Sequence, residues 1–466
     1  MKGKVLLVNP HPEEVAQTKY HSMPVLGIGY LASALMRDGF ECRIADGKME
    51  GLTRREIVDR ASDFRPDILG ISSMTHDILR ARALAEDIKR EIPGVTVLLG
   101  GPHATALPEQ TLNDFPCFDI LVLGEGEITV VELANFLQTG DEGEDPEIDG
   151  IAFRKEGKPH IRPVRGFVED LDSIAPPAWE LFPPTKHYAV YTSRGCPFGC
   201  NFCVRVLGNK VRYRSPGNVI EELEQIVARG GEYVFFRDET FTANRKHFTE
   251  ICETMISRGI SKKISWGCTT HCSTVNRDVL GLMKRAGCVS VEYGIESGND
   301  EILKRMGKRL TKDTARRAVK AAKEAGIETF GNFIFGHPYE TKETIQQTID
   351  FATELNTTQV SFGAMVPYPG TGIYRMAKSG QGGYKNMSFD WGSFDKYQGG
   401  AIELESVTRE DLAKAQMKAF ATFYFRNMRL GSAWKFFWEN KRNIIFYLAR
   451  LLKGGRRAGG EKAGDA

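Results

Sequence analysis

Short apolar runs alternate with amphipathic stretches of helical length in two separate parts of this chain, and no other feature limits its fold as tightly. In residues 1–140 the runs are VLLVN (5–9), ECRIAD (41–46), DILGISS (67–73), VTVLLGG (95–101) and DILVLGE (119–125). Amphipathic stretches near 27–38, 54–63, 77–91 and 127–138 separate them. Strands joined through helices pair in parallel, because a parallel crossover needs a dozen or more residues. Five such strands predict an α/β, flavodoxin-like (Rossmann-type) unit whose ligands sit beyond the carboxyl ends of the strands. Residues 186–380 repeat the alternation, with YAVYTS, YVFFRDE, KISWGC, SVEYGIE, TFGNFIFG and QVSFGAMVP as strands. Helices near 217–229, 243–258, 276–286, 312–325 and 341–354 fall between them, predicting a partial, TIM-like (β/α)6 barrel with its chemistry in the loops after the strands.

The segments between and after these units differ in kind. Residues 141–185 hold an acidic, turn-rich stretch, a hairpin pattern in IAFRKEGKPHIRP and a Pro-rich crossing, SIAPPAWELFPP, and read as a linker. Residues 381–466 read as a mainly helical tail, with a helix near 408–428 and an end, LLKGGRRAGGEKAGDA, of disordered composition. At 466 residues, two or three domains are expected.

The chain carries a net charge of only +2, so no global field points to nucleic acid. No apolar run approaches the roughly 18 residues that a membrane span needs, and the first residues do not read as a signal peptide. A cytoplasmic location is expected. There the nine cysteines stay reduced, and the clustering of three of them within eight residues points to a metal site.

Those three are Cys196, Cys200 and Cys203, in SRGCPFGCNFCVR directly after a predicted strand. Gly195 and Gly199 give the loop the backbone freedom to wrap tightly. Iron–sulfur cubanes usually take four thiolates, one per iron, so three leave one iron open. A structural zinc would need a fourth ligand at a recognisable spacing.

On this loop the chain resembles the radical S-adenosylmethionine superfamily, whose hallmark is CxxxCxΦC with an aromatic residue before the last cysteine, here Phe202. The resemblance spans about 186–375. It implies a 4Fe–4S cluster on the three cysteines, with S-adenosylmethionine on the open iron, cleaved to a 5′-deoxyadenosyl radical by an electron from a flavodoxin- or ferredoxin-type donor. By the same resemblance, Asp238 and Glu239 in FRDETFT meet the methionyl amino group, and Glu296 in YGIESGND lies near the ribose. GNFIFGHPYET (331–341), with Gly336 implied at S-adenosylmethionine, and VPYPGTG (366–372) resemble later strand-end loops of the family. His271 stands where many relatives have arginine.

The first unit resembles the cobalamin-binding domain of one large subclass, through VNP (8–10), PVLGIGYLASAL (24–35), DILGISSMT (67–75), LLGGPHAT (98–105) and LGEGE (123–127). The residues implied at cobalamin are Asn9, Leu26, Gly27, Ser72, Ser73, Gly100, Gly101, Pro102, His103, Gly124, Glu125 and Gly126. None of His11, His21, His76 or His103 sits in the Asp-x-His-x-x-Gly context that supplies a lower cobalt ligand in mutases, and His103 reads as a loop contact. Cys42 and Cys117 are too few for the extra cluster of methylthiotransferases, and Cys268, Cys272 and Cys288 read as buried and inert.

The subclass implies a C-methyltransferase acting on an unactivated carbon. A radical cyclase or rearrangement enzyme on a tetrapyrrole or lipid-like substrate, without net methyl transfer, is the alternative, and a non-catalytic cobalamin- or redox-sensing module is a third reading. The substrate class is a small or lipid-like molecule. Residues 433–457 set seven lysines and arginines against Glu439, beside a large apolar surface. They read as a capping helix docked on the barrel, with peripheral contact to the inner membrane face as the alternative.

Overall fold

The computed structural model describes residues 2–10, 23–139, 145–394, 396, 400–429, 431 and 438. His11, His21 and all of 433–457 except Trp438 lie outside the described residues.

The first unit is built on β1 (Lys4–Asn9), β2 (Glu41–Asp46), β3 (Ile68–Ser72), β4 (Thr96–Gly100) and β5 (Ile120–Val122), in the order β2-β1-β3-β4-β5 and all parallel. Successive residues of β1 serve opposite faces. Val5 and Leu7 join one core cluster while Leu6 and Val8 join the other, so helices cover both sides of the sheet. The flanking helices span Leu26–Arg37, Arg54–Phe64, Ile78–Glu91 and Glu127–Thr139, close to the stretches the periodicity marks. Thr53 and Glu56 form a reciprocal capping box at the second of these. Two short helices in the β4–β5 crossover, Pro102–Ala106 and Pro108–Asp114, lack the amphipathic period and escape the sequence pattern. Each is marked only by a proline in its first turn.

The hairpin pattern at 151–163 forms β6 (Ile151–Lys155) and β7 (Lys158–Ile161). It does not stand apart as a linker. β6 pairs antiparallel with β5 and the hairpin completes a seven-stranded sheet, because β5 would otherwise leave an open edge. The Pro-rich crossing that follows packs on the first helix: the Ala178 amide donates to the Gly29 carbonyl at 3.0 Å, beside Pro177 and Phe182.

The second unit starts with β8 (His187–Val190), followed by a short antiparallel pair, β9 (Ser193–Arg194) and β10 (Arg212–Tyr213). Five further strands complete it: β11 (Tyr233–Phe236), β12 (Ser265–Thr270), β13 (Cys288–Glu296), β14 (Glu328–Phe335) and β15 (Gln359–Ala364). With β8 they form a six-stranded parallel sheet in sequential order, an open barrel wall. β16 (Tyr384–Met387) and β17 (Ile402–Leu404) form a small hairpin ahead of the last long helix, Arg409–Arg426.

The carboxyl edges of the two parallel sheets meet. Loops after β4 and β5 touch loops of the barrel and its extension: a Cβ placed on Gly370 would lie 3.6 Å from that of Ala106. The His103 ring stands edge-on to Trp391 at 5.1 Å. Both edges of this α/β pair are where such folds bind ligands.

Candidate functional site

The three clustered cysteines sit in the loop between β9 and β10, at the carboxyl edge of the barrel. Cys200 is buried, Cys196 half-buried and Cys203 exposed. Gly195 has φ +101° and a Cβ there would lie 2.3 Å from the Lys210 carbonyl oxygen, so the loop closes on itself only with glycine. The Cys196 amide donates to the Gly208 carbonyl at 3.2 Å and the Asn201 amide to the Met306 carbonyl at 3.0 Å. A Cβ on Gly199 would meet nothing within 4 Å, which leaves open space above the loop. The neighbouring Cys203, and Lys308 acting with it against the effect of burial, bring the Cys200 thiol below its ordinary range. Among the described residues no three His, Cys, Asp or Glu side chains converge on a point that would hold a single metal ion. A cubane asks for something else, one thiolate per iron.

The adjacent acids Asp238 and Glu239, equivalent in the sequence, have different tasks in the structure. Asp238 is buried and accepts from the Thr192 amide (2.7 Å), the Thr192 hydroxyl (2.6 Å) and the Ser193 hydroxyl (2.6 Å). Its carboxylate holds the chain just before the cysteine loop. Glu239 has one carboxylate oxygen, Oε2, that is buried without a partner. Burial raises its pKa above the usual carboxylate range, and the Gly195 amide is among the groups that counter this. A cationic amino group placed there would find an acceptor already desolvated.

Glu296 ends β13 with φ +70°, a left-handed conformation rare outside glycine. It is paired with Lys308 at 3.1 Å, both side chains nearly buried. Burial works to lower the Lys308 pKa, but Glu296, then Cys200 and Cys203, outweigh it and hold the ammonium charged. The Lys308 amine lies 5.8 Å from the Phe202 ring, which packs on Ile302, Leu303 and Met306. His271 stacks on Phe198 of the cysteine loop at 4.0 Å, with Nε2 3.0 Å from the Lys308 carbonyl oxygen and Nδ1 2.7 Å from the Ser273 hydroxyl. Burial, then Lys308, pulls its imidazole down to about 4, so it is neutral. Lys308 and His271 thus close the site from the barrel side. Nothing in the run KRMGKRL sets Lys308 apart from its exposed neighbours Lys304, Arg305 and Arg309; only tertiary burial does.

Gly336 (φ +96°) donates its amide to the Glu340 carboxylate, as does His337 at 3.1 Å, and Tyr384 donates to the Gly336 carbonyl at 2.9 Å. Glu340 therefore holds the β14 turn from within the core. Burial pushes its carboxyl up to about 8. A carboxyl whose folded pKa is raised contributes most below its unfolded value and loses that contribution as pH rises toward 8. Glu340→Gln keeps an acceptor for the two amides and removes the ionisation. We expect the variant to be more stable than the parent by on the order of 2 kcal/mol at pH 8.5 and nearly equal to it at pH 5. Thermal unfolding at the two pH values checks this; equal differences at both would contradict it.

On the facing edge, Asn9 donates to Asp46 at 2.7 Å, and Asp46 also accepts from the Val25 amide at 3.0 Å, which fixes the turn into Leu26 and Gly27. Leu26 is buried, whereas Gly27 is exposed and a Cβ on it would meet nothing within 4 Å. Ser72 ends β3, and the Ser73 amide donates to the Gly100 carbonyl at 3.0 Å. Gly101 (φ +102°) brings its α-carbon so close to Ser73 that a Cβ would lie 2.6 Å from the Ser73 carbonyl oxygen. Pro102 then starts the short helix that buries His103. Desolvation lowers His103 to about 4, and its ring faces Trp391 inside the core. Gly124 (φ +73°) donates to the Thr105 hydroxyl at 3.0 Å, and Gly126 packs against Leu31 and Val122. The resemblance placed Glu125 at the cofactor, but both of its oxygens are taken by Arg194 and Arg212 of the barrel. These two arginines are functional candidates that the sequence hides, since a lone arginine beside a strand reads as a solvated charge.

Cys268, Cys272 and Cys288 are buried among apolar side chains, and burial raises all three thiols.

Residues 190–352 match the Radical SAM superfamily, and residues 15–134 match the B12 binding domain. The chain is 36% identical over 434 residues to the uncharacterized methyltransferase PH0819 of Pyrococcus horikoshii, covering 91% of this chain and 93% of that protein. It is 27% identical to an anaerobic magnesium-protoporphyrin IX monomethyl ester cyclase of Cereibacter sphaeroides, over 97% of this chain and 75% of the cyclase. The fold is similar to that of TsrM from Kitasatospora setae, a radical S-adenosylmethionine methyltransferase solved with cobalamin and a [4Fe–4S] cluster, with a TM-score of 0.67, 22% identity, and 81% and 78% of the two chains covered. The chain belongs to the cobalamin-dependent radical S-adenosylmethionine enzymes, in the methyltransferase group. A 4Fe–4S cluster, S-adenosylmethionine and cobalamin are its cofactors.

Proposed function

We propose that this enzyme transfers a methyl group to an unactivated carbon of a small molecule at the contact of the two carboxyl edges. The observation that carries this reading is that contact itself. It sets the strand ends suited to cobalamin beside Arg194 and Arg212, the residues that bracket the loop carrying the three thiols. In this reading Cys196, Cys200 and Cys203 hold the cluster and Glu239 receives the S-adenosylmethionine amino group through its free oxygen. Glu296, Lys308, Phe202 and Gly336 line the rest of that cofactor's site. Gly27, Ser72, Ser73, Gly100, Gly101, Pro102 and Gly124 line the cobalamin edge, while Asn9, Leu26, His103 and Gly126 support it from beneath. When bound, the cluster and S-adenosylmethionine supply a hydrogen-abstracting radical and cobalamin supplies the methyl group. The protein's own part is orientation. Asp238 fixes the approach to the thiols, and the neutral His271 and charged Lys308 shape the wall.

The division we adopt is 1–140 for cobalamin, 141–185 as the connection (with its hairpin joined to the first sheet), 186–380 for the radical chemistry and 381–466 as a covering region. An external flavodoxin- or ferredoxin-type protein supplies the electron, and the enzyme works in the cytoplasm. Among the described residues no helix is long and apolar enough to cross a membrane. A second reading, ring closure without methyl transfer, is favoured by the similarity to the cyclase over nearly the whole chain.

Incubation of the reconstituted enzyme with trideuteromethyl S-adenosylmethionine, a reductant and a cell extract separates the two. We expect a small-molecule product bearing the deuterated methyl group together with 5′-deoxyadenosine. Unlabelled turnover of magnesium-protoporphyrin monomethyl ester would contradict methyl transfer and support the cyclase reading.

A further inference from the structure

All three clustered cysteines lie between β9 and β10, where Arg194 pairs with Arg212 across the antiparallel ladder. Both arginines reach out of the barrel to one carboxylate of the first unit. Arg212 grips Glu125 with a two-pronged contact, Nη1 to Oε2 and Nη2 to Oε1, each 2.8 Å. Arg194 reaches Glu125 Oε1 at 3.1 Å and Glu127 Oε1 at 2.6 Å. The Val168 amide donates to Glu125 Oε2 at 2.9 Å. Side-chain exposure is 3% for Glu125, 6% for Arg194 and 2% for Arg212, so these charges are out of solvent and matched two against two. Arg212 also donates to the Leu207 carbonyl at 3.0 Å, inside the cysteine loop itself. Behind Glu125, the Gly124 amide donates to the Thr105 hydroxyl, which donates in turn to the Gly101 carbonyl at 3.0 Å. One chain of polar contacts therefore runs from the GGPHAT turn of the first unit to both ends of the cysteine loop.

We propose that Glu125 is a positioning residue that clamps the cysteine loop onto the cobalamin-binding unit and so sets the separation of the two cofactors. The proposal rests on the assignment of the cluster to Cys196, Cys200 and Cys203. A carboxylate is required because both of its oxygens accept from guanidinium groups. An amide offers one acceptor, turns its own N–H groups toward the arginines and leaves a buried positive charge unmatched. Aspartate keeps the charge one methylene shorter, and Arg212→Lys keeps the charge but loses the fork.

The test uses the full chain loaded with iron, sulfide and cobalamin. Pulsed dipolar electron paramagnetic resonance reads the distance between the reduced cluster and cob(II)alamin, and amide hydrogen exchange reads the loop. We expect one narrow distance distribution in the parent. Glu125→Gln should broaden it at unchanged iron and cobalt content and speed exchange across 195–211 by about a hundredfold. Strands β11 to β13 should show no comparable change, and Glu125→Asp should restore part of the narrow distribution. A Glu125→Gln protein with both metals bound and the parent's distribution and exchange would overturn the proposal. Should Glu125→Gln not fold, Arg212→Lys decides, by a broadened distribution in support or an unchanged one against. A parent that takes up no iron would sink the cysteine assignment, and exchange across 195–211 would then decide the clamp alone.

Discussion

Replacing Cys196, Cys200 and Cys203 together with alanine should lower iron uptake from about four atoms per chain to near zero and abolish reductive cleavage of S-adenosylmethionine, a loss of about a thousandfold or more. Cobalamin binding should persist, because one face of the first sheet packs in a core built mainly from its own residues and its carboxyl edge contains none of the three cysteines. Global stability should change little. Cys203 is exposed and Cys196 half-buried, so only Cys200 gives up appreciable packing. The control is the matching triple replacement of Cys268, Cys272 and Cys288. These are buried, and truncating each should cost about 1 kcal/mol while leaving iron uptake intact. Iron and cobalt counts with thermal unfolding read both proteins. Iron retained by the first variant, or lost only from the second, would contradict the assignment.

The second large effect separates two neighbouring acids. Asp238→Ala removes the shared acceptor of three short hydrogen bonds and leaves the Thr192 amide and the hydroxyls of Thr192 and Ser193 unsatisfied in the core. Each orphaned donor costs roughly 1–3 kcal/mol, so we expect a loss of about 3–5 kcal/mol and a cysteine loop that no longer holds its cluster. Glu239→Gln should do the reverse. It replaces a half-buried carboxylate whose buried Oε2 has no partner, so the fold should be as stable as the parent or slightly more so. Its affinity for S-adenosylmethionine should fall about 10- to 100-fold, the value of a charge-assisted hydrogen bond. Calorimetric unfolding and equilibrium binding together check the contrast. Equal destabilisation by both substitutions, or unchanged binding in Glu239→Gln, would contradict the division of labour.

The sequence showed the two parallel sheets clearly, because strands buried on both faces, as VLLVN is, leave continuous apolar runs bounded by amphipathic helices. It showed the cysteine loop for a different reason: three thiols in eight residues have few structural explanations. It failed where the outcome depends on tertiary pairing. The hairpin 151–161 looked like part of a linker, since nothing local tells a strand which sheet edge it will complete. Glu125 sits in a glycine-bounded strand-end motif that resembles a cofactor loop, yet its partners Arg194 and Arg212 are 69 and 87 residues away. Lys308 likewise joins the side chains around the cysteine loop only through burial against Glu296, and His271, which the sequence marks only as a departure from the family pattern, joins them by stacking on Phe198. Asp238 and Glu239 show the limit most plainly. Two acids in one strand-end turn are interchangeable in one dimension, and only the Thr192–Ser193 segment folding onto the first of them leaves the second free.

The most direct test of the central claim is anaerobic reconstitution of the full chain with iron, sulfide and hydroxocobalamin, followed by metal counts and reduction in the presence of S-adenosylmethionine. We predict about four irons and one cobalt per chain, with 5′-deoxyadenosine formed on reduction. Four irons without cobalt would contradict the methyl-transfer account while sparing the radical chemistry, and a preparation that binds cobalamin but assembles no cluster would contradict the account at its centre.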